Sequence, residues 1–298
     1  MFSLLSIENQ LSLLKELILA DINDVRYSHR QLLSSYSDIM RFLIKLLTQG
    51  CPSPRDRSYL IKHILYRLIA NASPILYKKG LALVAIGQCA TAMVQLGRSI
   101  KNGHLPSRAL KAWLLINGRE GVAKDWNGAF ELAEEGTRLG CHHCKGVMAW
   151  CYKFGYGIQR NAARSLELAR ESSGLGCRYG QCTLGLFYRW GEGVIAHNYA
   201  QAVALYRLAA EQNLDWAQCS LGYMYFRGLG VAQDDAEALR LYKLAAAQGH
   251  PHAMYDVAAC YEEGRGVRNN KAKAILWYRR AQAAGDPYAA DALRRLSA

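Results

Sequence analysis

Proline is scarce in this chain, with six residues in 298, and the β-branched residues that strands favour are outnumbered by alanine, leucine, tyrosine and glycine. That balance excludes a mainly strand-built protein and makes the class all-α. Basic residues are missing from the start: residues 1–20 have no early Lys or Arg and carry Glu8 and Glu16. A secretory leader needs positive charge before its apolar run, so the segment reads as an amphipathic helix instead. Long apolar runs are missing too. The longest uncharged stretch, residues 80–97, contains Gln88, Thr91 and Gln95 and is short for a bilayer crossing, so no membrane span is expected.

What is present is ample apolar material, 51% of residues, enough to bury a sizeable core. Nine cysteines occur, but disulfide frameworks belong to small secreted domains, and a reduced, cytoplasmic chain is the simpler expectation. The net charge of +13 is spread out, with thirteen basic against six acidic side chains in residues 1–104 and 24 against 18 in the rest. Such a surface suits acidic protein partners and does not single out nucleic acid.

The chain repeats itself. Gly155-Tyr156-Gly157-Ile158, Gly191-Glu192-Gly193-Val194, Gly228-Leu229-Gly230-Val231 and Gly264-Arg265-Gly266-Val267 recur every 36 or 37 residues. Gly121-Val122 continues the series upstream, with its partner glycine three positions back at Gly118, which lengthens that turn by one residue. Before each pair runs a helical pattern with small residues at Cys144, Gly180, Ala217 and Ala253, and apolar anchors at Met148, Leu184, Leu221 and Val257. After each pair a second helix carries small residues seven positions apart, such as Ala202 with Ala209 and Ala238 with Ala245. Small residues spaced two turns apart let neighbouring backbones approach, and the large residues between them fill the remaining space. Each second helix runs to Gly103, Gly140, Gly176, Asn213, Gly249 or Gly285, where a left-handed residue ends a helix and Asn is the common substitute for Gly. The paired glycines are no phosphate loop, because a helix precedes them and no Gly-Lys-Ser/Thr follows.

With these residues in place, the chain resembles the Sel-one-like repeat family, relatives of the tetratricopeptide repeats with the pattern A-x-x-x-L-G-x-x-Y-x-x-G-x-G-V, then A-x-x-x-Y-x-x-A-A-x-x-G. Residues 217–249 fit nearly every position, whereas the second repeat has Ala149 for Gly and Ala169 for Tyr. The resemblance covers about residues 86–298 and implies a right-handed α-solenoid of helix-turn-helix repeats of about 36 residues. The expected layout is an N-terminal helical domain at 1–79 and a degenerate half repeat at 80–104. Repeats follow at about 105–140, 141–176, 177–213, 214–249 and 250–285, with a capping helix at 286–298.

Residues 1–79 divide into about three helices at Asp21–Asp24, Gly50–Pro54 and Asn71–Pro74. Narrow apolar seams run along Leu4, Ile7, Leu11, Leu14 and Ile18, and along Leu32, Tyr36, Ile39, Leu43 and Leu46. A bundle capping the solenoid and a hairpin making a homodimer both fit these seams.

The family geometry implies that first helices line the concave face, with inward positions two and five residues either side of the apolar anchor. Those positions give His143, Trp150 and Lys153; Tyr179 and Arg189; Trp216, Tyr223 and Phe226; and His252 and Tyr255. Trp, Tyr and Arg anchor interfaces because they join apolar area to a polar tip, although such stripes also pack between repeats. Cys141-His142-His143-Cys144 has zinc-ligand residue types, but adjacent helical residues diverge by about 100° and cannot all reach one ion. No nucleophile with a base, carboxylate pair or metal set emerges, so neither catalysis nor a cofactor is expected. The expected function is a non-catalytic scaffold holding a protein or peptide partner, and bacterial members of the resembled family do so in signalling, secretion or toxin neutralisation. The alternative is a nucleic-acid-binding repeat protein, weakened because Lys and Arg share no repeating position.

Overall fold

The computed structural model describes residues 73–119, 121–193 and 195–297, all within one compact unit, Arg67–Ala298. The apolar seams of the N-terminal third, with the cap and the homodimer they suggested, lie outside the described residues. Those described form thirteen helices and no strand: α1 (residues 73–85), α2 (Cys89–Lys101), α3 (Leu105–Asn117), α4 (Trp126–Arg138), α5 (His142–Phe154), α6 (Ala162–Gly174), α7 (Arg178–Trp190), α8 (Tyr199–Glu211), α9 (Asp215–Arg227), α10 (Asp235–Ala247), α11 (Pro251–Glu263), α12 (Lys271–Ala283) and α13 (Ala289–Ser297). Odd and even helices pair, and each pair packs on the next. Helix α1 runs across positions 79 and 80, so the boundary expected there falls inside an element. Gly80 is a packing position: a Cβ on it would sit 2.9 Å from Leu96, which closes on α1 from α2.

The uncharged stretch 80–97 is divided at Gly87, whose φ of +81° turns the chain between α1 and α2. Among the described residues no helix is long and apolar enough to cross a membrane.

Two devices at the helix ends fix the repeat. Helices α3, α5, α7, α9 and α11 stop at left-handed glycines, Gly118, Gly155, Gly191, Gly228 and Gly264. The even helices then begin on Asp125, Asn161, Asn198, Asp234 and Asn270, whose side chains accept backbone N–H groups of the first turn. At the far end of the even helices all six expected left-handed residues have positive φ, and Asn213 (+60°) is the one non-glycine among the described residues that does.

The core is built on small residues. Ala202, Ala209, Ala238, Ala245, Ala274 and Ala281 are fully buried in the even helices. Tyr206, Tyr242 and Tyr278 are fully or nearly fully buried, the first two against Gly185 and Gly222 of the paired odd helices. The second repeat has alanine at both of these positions, Ala149 and Ala169, each fully buried, and the fifth has Ala258 where Gly185 and Gly222 stand.

Candidate functional site

The odd helices carry the positions expected to face inward, and in the first half of the array those side chains pack against one another. Trp113 of α3 meets Trp150 of α5 edge-on at 5.0 Å and Tyr179 of α7 at 4.9 Å. Trp150 meets Trp216 of α9 at 5.1 Å, and Trp216 meets His250 at 4.8 Å. Two of these contacts, Trp113 with Tyr179 and Trp150 with Trp216, skip a repeat, so rings from alternate odd helices meet. Trp150 and Tyr179 are each 1% exposed. Offset and edge-to-face rings at these spacings add about 0.5–1.5 kcal/mol per pair beyond the buried area.

Polar groups close the same region. The Trp216 Nε1–H donates to Asn117 Oδ1 at 2.9 Å across 99 residues of sequence. Arg119, in the lengthened turn after α3, donates from Nη1 to the Gln248 carbonyl at 3.1 Å across 129 residues and pairs with Asp215. Both charged side chains are buried. Burial opposes ionisation of Asp215, but the Arg119 guanidinium, the His250 ring and the Trp216 N–H together outweigh it and hold the carboxyl below its usual range. Burial also pushes the His250 imidazole down to about 3, so the ring is neutral near pH 7 and adds no second charge. Leu81 and Val84 of α1 face Trp113, Arg178 and Leu214 around the narrow cleft that remains.

Of the ten expected partner-contact residues, Trp150, Tyr179 and Lys153 are therefore withdrawn into the packing. Lys153 lies over the Phe187 ring at 4.0 Å and pairs with Glu192. His143 and Trp216 are half-buried at the rim of the same packing, and burial takes the His143 imidazole down to about 4. The sequence pattern missed Trp113, Asn117, Arg119, Asp215 and His250. Their one local signal was the extra residue in the turn between Gly118 and Gly121.

The second half is open. Arg189 stacks between Trp190 at 4.7 Å and Tyr223 at 4.3 Å, and Trp190 is 63% exposed. Phe226 is half-buried, with one face covered by the Arg265 guanidinium at 3.5 Å. Arg265 is in turn fixed by Asp235. His252 and Tyr255 lie parallel at 5.8 Å and meet Tyr288, itself 58% exposed, at 6.2 Å each. Asp286, 3.2 Å from the His252 ring, pulls that imidazole above its ordinary value, while burial raises Asp256 beside it to about 6. The patch thus presents rings with cationic edges over acidic groups sunk in the packing. Among the described residues no group of three or more His, Cys, Asp or Glu is placed to hold a metal ion.

Comparison with known proteins agrees with the repeat period. The family model described as the Sel1 repeat matches residues 137–177, 178–214, 217–250 and 251–286. Sel1 repeats generally build protein-interaction scaffolds. No curated protein matches the chain. Similar solved structures include a protective antigen of uropathogenic Escherichia coli with this repeat fold, 25% identical at a TM-score of 0.46 over 77% of this chain. The chain spans 50% of that antigen's length. A Sel1 repeat protein from Oxalobacter formigenes is 24% identical at a TM-score of 0.49, over 73% of this chain and 86% of its own. An immunity protein from Pseudomonas aeruginosa is 18% identical at 0.44, over 72% of this chain and 83% of its own. In glycine spacing, helix pairing and matched repeats alike, the chain belongs to the Sel1-like repeat family.

Proposed function

We propose that the chain is a non-catalytic scaffold that holds a partner protein or peptide on the second half of its inner curve, against Arg189, Tyr223, Phe226, His252, Tyr255 and Tyr288. The observation that carries this reading is the contrast along one face. Inward positions upstream are consumed by internal packing, whereas downstream the same positions keep aromatic and arginine side chains in reach of solvent. Exposed rings beside a stacked guanidinium are the residue types that dominate binding energy at interfaces. His143, Trp150, Lys153, Tyr179 and Trp216 then serve the reading indirectly, by holding the coil that presents the patch.

The test compares proteins cross-linked to the intact chain with those cross-linked to an Arg189→Ala, Tyr255→Ala, Tyr288→Ala variant and to a Leu175→Ala, Leu208→Ala control. The expected result is loss of specific partners with the first variant alone. Equal capture by all three, with unchanged circular dichroism, overturns the reading. The nucleic-acid alternative finds several cations already engaged, Arg160 with Glu192, Arg265 with Asp235 and Arg295 with Glu262. A mobility shift at low salt that falls steeply with added salt would favour it instead.

A further inference from the structure

Two thiols stand across the first turn of α5. Cys141 is the helix N-cap, and its Sγ accepts the backbone N–H of Cys144 at 3.4 Å. Residues three apart on a helix lie on one face with Cα atoms about 5 Å apart, within the range that a disulfide spans. Cys144 is fully buried, and its Sγ reaches the Leu105 carbonyl at 3.8 Å in space left by Gly136, where any Cβ would collide with that sulfur.

The repeat supplies its own control. Thirty-six residues on, Cys177 is the N-cap of α7 and faces the N–H groups of residues 179 and 180 as Cys141 faces those of 143 and 144, but Gly180 stands where the second thiol would be. Burial pushes the Cys177 thiol up to about 11. Cys141 behaves oppositely: the hydrogen bond from Cys144, the N–H groups of residues 144 and 143, and nearby Arg108 outweigh burial and lower it to about 7. What sets Cys141 apart from Cys177 is therefore the second thiol one turn on, in a pair where Cys141 is 5% exposed and Cys144 fully buried.

We propose that Cys141 and Cys144 are a redox-active dithiol that exchanges with small-molecule disulfides, Cys141 attacking and Cys144 resolving. The Cys141 thiolate attacks one sulfur of the reagent, forming a mixed disulfide and releasing one thiolate, which takes up the proton given by Cys144. The Cys144 sulfur then attacks Cys141 Sγ, closing the intramolecular bond and expelling the second thiolate, protonated from solvent. Two protein thiols are oxidised and one disulfide is reduced to two thiols. The cost to the fold is small, because the atoms that move lie within one helical turn and the Leu105 carbonyl loses only a weak S–H donor.

The experiment treats the reduced full chain with 2-hydroxyethyl disulfide, quenches with acid, alkylates the remaining thiols and maps the peptides by mass spectrometry. The expected product is the 141–144 peptide lighter by two hydrogens, with Cys177, Cys182 and Cys260 alkylated. Cys144→Ser, which places a small residue where other repeats have Gly or Ala, should trap the mixed disulfide on Cys141. Iodoacetamide at pH 7 should label Cys141 more than about tenfold faster than Cys177. Recovery of both Cys141 and Cys144 as alkylated thiols in the native chain, or equal trapping at Cys177, overturns the proposal.

Discussion

The contact between Gly185 and Tyr206 sets how closely α7 and α8 lie, since a Cβ on the glycine would come 2.7 Å from the ring. Gly185→Ala gains about 1 kcal/mol of helix propensity but must displace a rigid, fully buried ring, at about 1–3 kcal/mol. Net destabilisation is expected in the native background. In a Tyr206→Ala background the same substitution reproduces the Ala149 and Ala169 pairing and should stabilise. A double-mutant cycle in urea reads the reversal, and one sign in both backgrounds would refute the packing account. At this scale the sequence was highly legible: the terminating Asn213 and the periodic alanines sit where their spacing placed them. The coupling of residue 185 to 206 was not, because a position-by-position pattern records which residues recur and not which of them touch.

Among elements, the even helices from α4 to α12 share a feature that the glycine pairs overshadowed. Asp125, Asn161, Asn198, Asp234 and Asn270 recur at the repeat interval and each satisfies first-turn N–H groups. Asn198→Ala should cost about 1 kcal/mol, and Asn198→Asp close to nothing. Amide exchange at Gln201, whose N–H meets Asn198 Oδ1 at 3.0 Å, localises the effect, and an unchanged rate in the alanine variant would show that the cap is dispensable. The division into helix pairs was readable from period and breaks. The extent of α1 was not: the limit expected between residues 79 and 80 falls inside it, and only the approach of Leu96 reveals Gly80 as an interface residue.

For the described unit as a whole, the decisive contacts join residues about a hundred positions apart, and no repeat-length pattern encodes them because they depend on the pitch of the coil. That is why the expected groove was legible as a list of residues but not as an open or filled surface. Arg119→Ala should destabilise by about 3–5 kcal/mol, since it strands the buried Asp215 carboxylate. Arg119→Ala with Asp215→Ala should cost less than the single change, as read from denaturant midpoints. A double variant no better than the single would show that the pair contributes only packing. Repeat arrays commonly behave as chains of neighbours, each unit answering only to the next. Here Arg119 also answers to Gln248, 129 residues away. Duplication or loss of a unit between these two would rotate one partner away from the other, so copy number is pinned inside the clasp and left free outside it.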